Sequence, residues 1–150
     1  MPLLKQTYFS ALYCSTNIHE IENRKFDVVV CAGAPAQKWI ANRDPADDRK
    51  KIDSLINHLG TIQYKTFILI STVDVFKEPI GVDESTPVNE SGLHIYGLHR
   101  RLLEIFVKQH FPSYLIVQLP GLVGPGLRKN VIFDFLNKKA AQSRPSRRSP

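Results

Sequence analysis

The sequence predicts an α/β domain built on a parallel sheet, and three observations carry that prediction. Three short runs are continuously apolar rather than alternating: Phe26–Cys31 (FDVVVC), Thr66–Ile70 (TFILI) and Tyr114–Leu119 (YLIVQL). Such runs suit strands covered on both faces. The stretches between them carry helical spacing, which implies crossover helices and parallel strands. Each run ends in Gly, Pro, Ser or Thr, as the carboxyl ends of strands in a ligand-binding sheet do.

The elements follow in order. Ala32-Gly33-Ala34-Pro35 breaks the first strand with small residues that let a ligand or another backbone approach. Asp44-Pro45 opens a helix, with Asp as N-cap and Pro in the first turn. Ile52, Leu55, Ile56 and Leu59 form its apolar stripe, and Gly60 stops it. The second strand ends on Ser71-Thr72, and a loop holding Pro79, Gly81 and Pro87 follows. A second helix is expected from near Ile95 to before Pro112, with Leu98, Leu102, Ile105 and Phe106 as its apolar face. Pro120-Gly121 ends the third strand, Gly124-Pro125-Gly126 marks a turn, and Asn130–Asn137 reads as a short helix.

The 150 residues are 43% hydrophobic and 23% charged, ordinary for one globular domain. The net charge of +6 falls to +1 without Lys138, Lys139, Arg144, Arg147 and Arg148. The basicity therefore belongs to a flexible tail, residues 138–150, and a nucleic-acid partner is not expected. Cys14 and Cys31 imply no disulfide framework. No stretch is apolar enough to span a membrane and the start is unlike a secretory signal, so a cytoplasmic protein is expected. The histidines, His19, His58, His94, His99 and His110, lack metal-ligand spacing and read as helix-surface residues; no metal is expected.

The pattern that bears chemistry joins Ser71-Thr72 to Tyr96-Gly97-Leu98-His99-Arg100. Residues 96 and 100 share one helical face. A phenol of pKa about 10 is a poor base at neutral pH. A neighbouring cation eases proton transfer to or from it. A threonine hydroxyl from the adjacent strand would hydrogen-bond the same substrate oxygen. The bland readings are a surface tyrosine at a helix start and hydroxyls bonded to strand-end backbone. Asp74 reads as a loop acid or as an aid to proton transfer. Trp39 reads as a cap on the ligand crevice or as core. Arg128 and Lys129 read as a solvated turn or as a phosphate contact.

With these residues in view, the chain resembles the extended short-chain dehydrogenase/reductase family, which includes NAD(P)-dependent sugar-nucleotide epimerases, dehydratases and reductases. The matching segments are FDVVVCAGAP (26–35), ISTVDVF (70–76), DESTPV (83–88), YGLHRRLLE (96–104) and LPGLVGPG (119–126), over roughly residues 26–137. The resemblance implies a partial Rossmann-like, doubly wound parallel sheet. It implies Thr72 as the hydroxyl partner of the reacting oxygen, Tyr96 as general acid/base, and Arg100 in the place of the family's lysine. It implies NAD or NADP as cofactor, lined by Ala32, Gly33, Ala34, Ser71, Tyr96, Arg100, Pro120 and Gly121, with a nucleotide sugar as substrate.

Two departures from the family pattern stand out. Arg100 keeps the lysine's charge in a larger, planar group. The glycine-rich turn that holds the cofactor pyrophosphate is not found, because the first glycine is Gly33. The expectation is a truncated nucleotide-binding domain over 1–137, with an uncovered sheet edge prone to self-association. The alternative function is an inactive remnant that acts as a binding module. The residue that separates NAD from NADP follows a strand not found here.

Overall fold

The computed structural model describes residues 9–121. The chain divides into two compact units, Met1–Leu119 and Pro120–Pro150. Of the second unit only Pro120 and Gly121 are described, so the expected turn at 124–126, the helix at 130–137, Arg128, Lys129 and the tail lie outside the described residues.

Three strands form one sheet in the order β1 (Lys25–Cys31), β2 (Gln63–Thr72), β3 (Tyr114–Leu119), and both pairings are parallel. The links are helical. A short α1 (Lys38–Arg43) and a long α2 (Pro45–Leu59) join β1 to β2, and α3 (Ile95–His110) joins β2 to β3. The chain is thus the expected α/β fold with a parallel sheet.

Local chemistry sets the helix boundaries. The Asp44 side chain accepts from the Asp47 amide and Pro45 occupies the first turn, so α2 begins where the sequence predicts. Asp44 also ends α1, because a residue before proline is pushed out of the helical region. His94 caps α3 through its ring, a start signal outside the usual Ser/Thr/Asp/Asn set.

The core lies between the two long helices and one face of the sheet. Ile52, Leu55 and Leu59 of α2 and Leu103 and Val107 of α3 meet Cys31, Phe67 and Leu69. Phe67 and Phe111 stack at 4.1 Å, and both are fully buried. The register explains which strand residues take part: Val29 lies beside Phe67, and Cys31 beside Leu69, which in turn lies beside Ile116.

Two expectations are corrected here. The strands are not covered on both faces among the described residues. On the face bearing Val28, Val30 and Leu115 no described helix packs, and Val28 and Leu115 are 57% and 54% exposed. The buried face of α3 is also not Leu98, Leu102 and Ile105. The buried residues are Tyr96, Gly97, His99, Arg100, Leu103, Glu104 and Val107, with the expected residues half-buried beside them and Phe106 packed partly on the core. Two charged residues sit in that buried stripe, so a hydrophobicity pattern alone points to the neighbouring one.

Phe67→Ala should cost about 3–5 kcal/mol of stability, the range for deleting a fully buried aromatic ring. Urea denaturation followed by circular dichroism measures it.

Candidate functional site

The carboxyl end of β2 supplies two hydroxyls with different employment. Ser71 lies on the helix-covered face, and its Oγ donates to Glu104 Oε1 at 2.6 Å. Gln118 of β3 donates to the same oxygen at 3.0 Å, and Arg101 reaches Oε2 at 3.0 Å. Glu104 is 0% exposed, so these donors satisfy a carboxylate removed from water. Thr72, the next residue in the strand, opens the 3-10 turn Val73–Val75. Its Oγ1 accepts from the Asp74 amide at 3.1 Å and lies 3.3 Å from Asp74 Oδ2.

The start of α3 is held against that turn by backbone contact. A Cβ on Gly97 would run into the Asp74 carbonyl oxygen and the Leu93 side chain. Only glycine lets the helix approach this closely. The Tyr96 amide donates to Asn42 Oδ1 of α1 at 2.9 Å, and the Gly97 amide donates to His94 Nδ1 at 2.9 Å. Three tethers therefore fix the backbone around Tyr96, whose side chain is buried at 8% exposure.

Asp74, a third exposed in the turn after β2, carries an ion pair. Lys38 Nζ lies 2.7 Å from its Oδ1, and His94 Nε2 lies 3.8 Å from the same oxygen. Lys38, Thr72, Asp74, His94 and Gly97 thus gather where β2 ends and α3 begins.

Arg100 is placed below Tyr96 rather than free at the surface. Its guanidinium carbon is 4.1 Å from the tyrosine ring centroid, a cation–π stack. Nη1 donates to Asp48 Oδ2 at 2.6 Å, and Nη2 donates to the Pro35 carbonyl. Arg100 Nε has no hydrogen-bond partner among the described residues. His99 Nδ1 lies 2.7 Å from the same Asp48 oxygen, so the expectation of a surface histidine is wrong at this position. Asp48, His99 and Arg100 are all buried, at 4%, 8% and 3% exposure. Burial works to raise the Asp48 pKa, but hydrogen bonds and charge from Arg100 and His99 outweigh it and hold the carboxyl below its ordinary value.

The other expected residues occupy less constrained positions. Ala32 and Gly33 are exposed just past β1, while Ala34 packs partly against the core. Pro120 and Gly121 follow β3 in the chain and are exposed. Trp39 is neither core nor buried: it is 53% exposed, with the Arg43 guanidinium 4.9 Å from its ring centroid. His58 pairs with Glu22 at 2.6 Å. Two cavities of about 230 and 360 Å³ lie between the 83–88 loop and β3. Neither is lined by Thr72 or Tyr96.

Sequence reasoning missed Asn42, Asp48, His94 and Glu104. Glu104 had a signal, because it continues the four-residue spacing of Tyr96 and Arg100 on one helical face. Asp48 and Asn42 had none, since they meet α3 from more than 50 residues away.

No family model and no curated protein sequence matches this chain. A solved structure does: UDP-glucuronic acid 4-epimerase from Bacillus cereus in complex with NAD, with a TM-score of 0.55 and 23% identity over 79% of this chain. The chain spans 40% of that protein's length. The likeness is one of fold, a partial Rossmann-like sheet. Among the described residues no helix is long and apolar enough to cross a membrane.

Gly97→Ala should destabilise the fold by roughly 2 kcal/mol or more, because backbone has to move to admit the methyl group; a thermal melt measures this. Asp48→Asn should cost about 3–5 kcal/mol at neutral pH, since it leaves Arg100 buried without its counter-charge. The folded pKa of Asp48 is lowered, so the pairing stabilises fully above about pH 4 and fades as pH falls through the folded value. The gap between wild type and Asp48→Asn should therefore narrow below about pH 4 in denaturation curves.

Proposed function

We propose that this chain is the nucleotide-binding portion of an NAD(P)-dependent oxidoreductase or sugar-nucleotide epimerase/dehydratase-like protein. One observation supports the reading above others. Thr72 ends β2 and Tyr96 begins α3, and the Gly97–Asp74 backbone contact brings those two element ends together. Ligands in open parallel sheets bind at such ends.

The residues present fit a nicotinamide dinucleotide at some positions and not at others. Ala32 and Gly33 leave exposed backbone past β1, where a flat ring or a phosphate can pass closely. Arg100 does not fit as a ribose ligand, because Asp48 and the Pro35 carbonyl already hold its guanidinium. Within this reading it acts as a cation stacked beneath Tyr96. Ser71 acts through Glu104 and keeps the end of β2 in place.

A nicotinamide cofactor, when bound, would supply or accept the hydride at the substrate carbon. In the reducing direction Tyr96 would give its phenolic proton to the carbonyl oxygen, which would become the hydroxyl of the alcohol product. Thr72 Oγ1 hydrogen-bonds that oxygen and orients it. The tyrosinate then regains a proton from solvent. A nucleotide sugar is the substrate class assigned to the site.

A second reading, a non-catalytic binding module, draws on the buried state of Arg100. Calorimetric titration of the purified chain with NAD, NADH, NADP and NADPH separates the two. Binding is expected, and no heat at millimolar cofactor would discard the enzyme reading. In the binding form Tyr96→Phe should lower turnover of nucleotide sugars by about 10²–10⁴-fold with cofactor affinity nearly unchanged.

A further inference from the structure

His94 holds a hydrogen-bonding position at this site that its sequence context does not announce. It is the N-cap of α3, and its Nδ1 accepts the Gly97 amide proton at 2.9 Å. A ring nitrogen that accepts a hydrogen bond carries no proton, so the neutral ring holds its hydrogen on Nε2. Nε2 is turned toward Asp74 Oδ1 but stands 3.8 Å away, beyond hydrogen-bond range. That oxygen is engaged at 2.7 Å by Lys38. The His94 side chain is 33% exposed. Its ring centroid is 6.2 Å from that of Tyr96, and Asp74, which it approaches, bonds Thr72. His94 thus lies near Tyr96 and, through Asp74, near the end of β2 that Thr72 closes.

We propose that His94 is a catalytic hydrogen-bond donor at this site: its Nε2–H binds the substrate oxygen that Thr72 and Tyr96 also address. The proposal rests on the functional reading above. His94 transfers no proton in it. The bond from Nε2–H strengthens as the oxygen gains negative charge, and the proton that moves is that of Tyr96. A donor fixed in direction before charge develops is the arrangement that stabilises an oxyanion most. The cap bond supplies that fixation, since the Gly97 amide prevents the ring from flipping or changing tautomer at no cost to the helix.

Two measurements test this. In ¹⁵N NMR of the full chain, His94 should show an unprotonated Nδ1 and a protonated Nε2 near neutral pH. The opposite tautomer or an imidazolium would overturn the proposal whatever the activity. The second test uses His94→Asn, which retains an N-cap acceptor for Gly97 but removes the Nε2 donor. Its thermal midpoint should match wild type, kcat on a UDP-hexose should fall about 100-fold, and KM should hold. His94→Ala should lose both stability and turnover. Wild-type turnover with an equally fast His94→Asn variant would defeat the proposal and leave the functional reading intact. Absence of wild-type turnover on a panel of UDP- and dTDP-hexoses would overturn that reading, and the proposal with it.

Discussion

The Arg100–Asp48 ion pair is the interaction around which the described fold is arranged. It joins α3 to α2 across 52 positions of sequence, and through the Pro35 carbonyl it ties both to the segment after β1. Its other face carries the Tyr96 ring. A buried pair of this kind gains little over a well-packed apolar substitute, because desolvation offsets most of the attraction. What it adds is geometry. A guanidinium fork holding a carboxylate and a carbonyl sets direction as well as distance, which a leucine in the same space does not. The pair therefore fixes the rotation of α3, and with it where Tyr96 and His94 stand.

Glu104 has a comparable role, a single turn further along the helix. Its carboxylate gathers Ser71 from β2, Gln118 from β3 and Arg101 from its own helix. Apolar packing between α3 and the sheet, through Leu103, Val107 and Phe67, is not directional and would tolerate small slides. Two hydrogen-bonded carboxylates, Asp48 and Glu104, remove that freedom. The site at the strand ends is thus supported by polar groups beneath it, while the middle of the sheet is held by apolar ones.

That division sets what can be read along the chain. The three strands, their parallel sense and the limits of α2 and α3 were legible from local rules, apolar runs, the Asp44-Pro45 start and the Ile52–Leu59 stripe among them, whereas the short α1 was not. That Thr72 ends a strand and Tyr96 lies in the first turn of a helix was legible as well. The buried face of α3 was not, because Arg100 and Glu104 look like solvent-facing residues until their partners are known. His99 was misjudged for the same reason: it pairs with Asp48, a role that leaves no mark on hydrophobic periodicity.

The sequence by itself determined the class of the fold and the residue types at each strand end, since both follow from local propensity and spacing. Tertiary structure alone decided what those residues do. It made Arg100 a buried counter-ion to Asp48, bonded Ser71 to Glu104, and brought Lys38 and His94 to Asp74. The physical reason is that a charged or hydroxyl side chain takes its role from the partner it meets on leaving water. For Asp48 and Arg100, that partner stands more than 50 residues away.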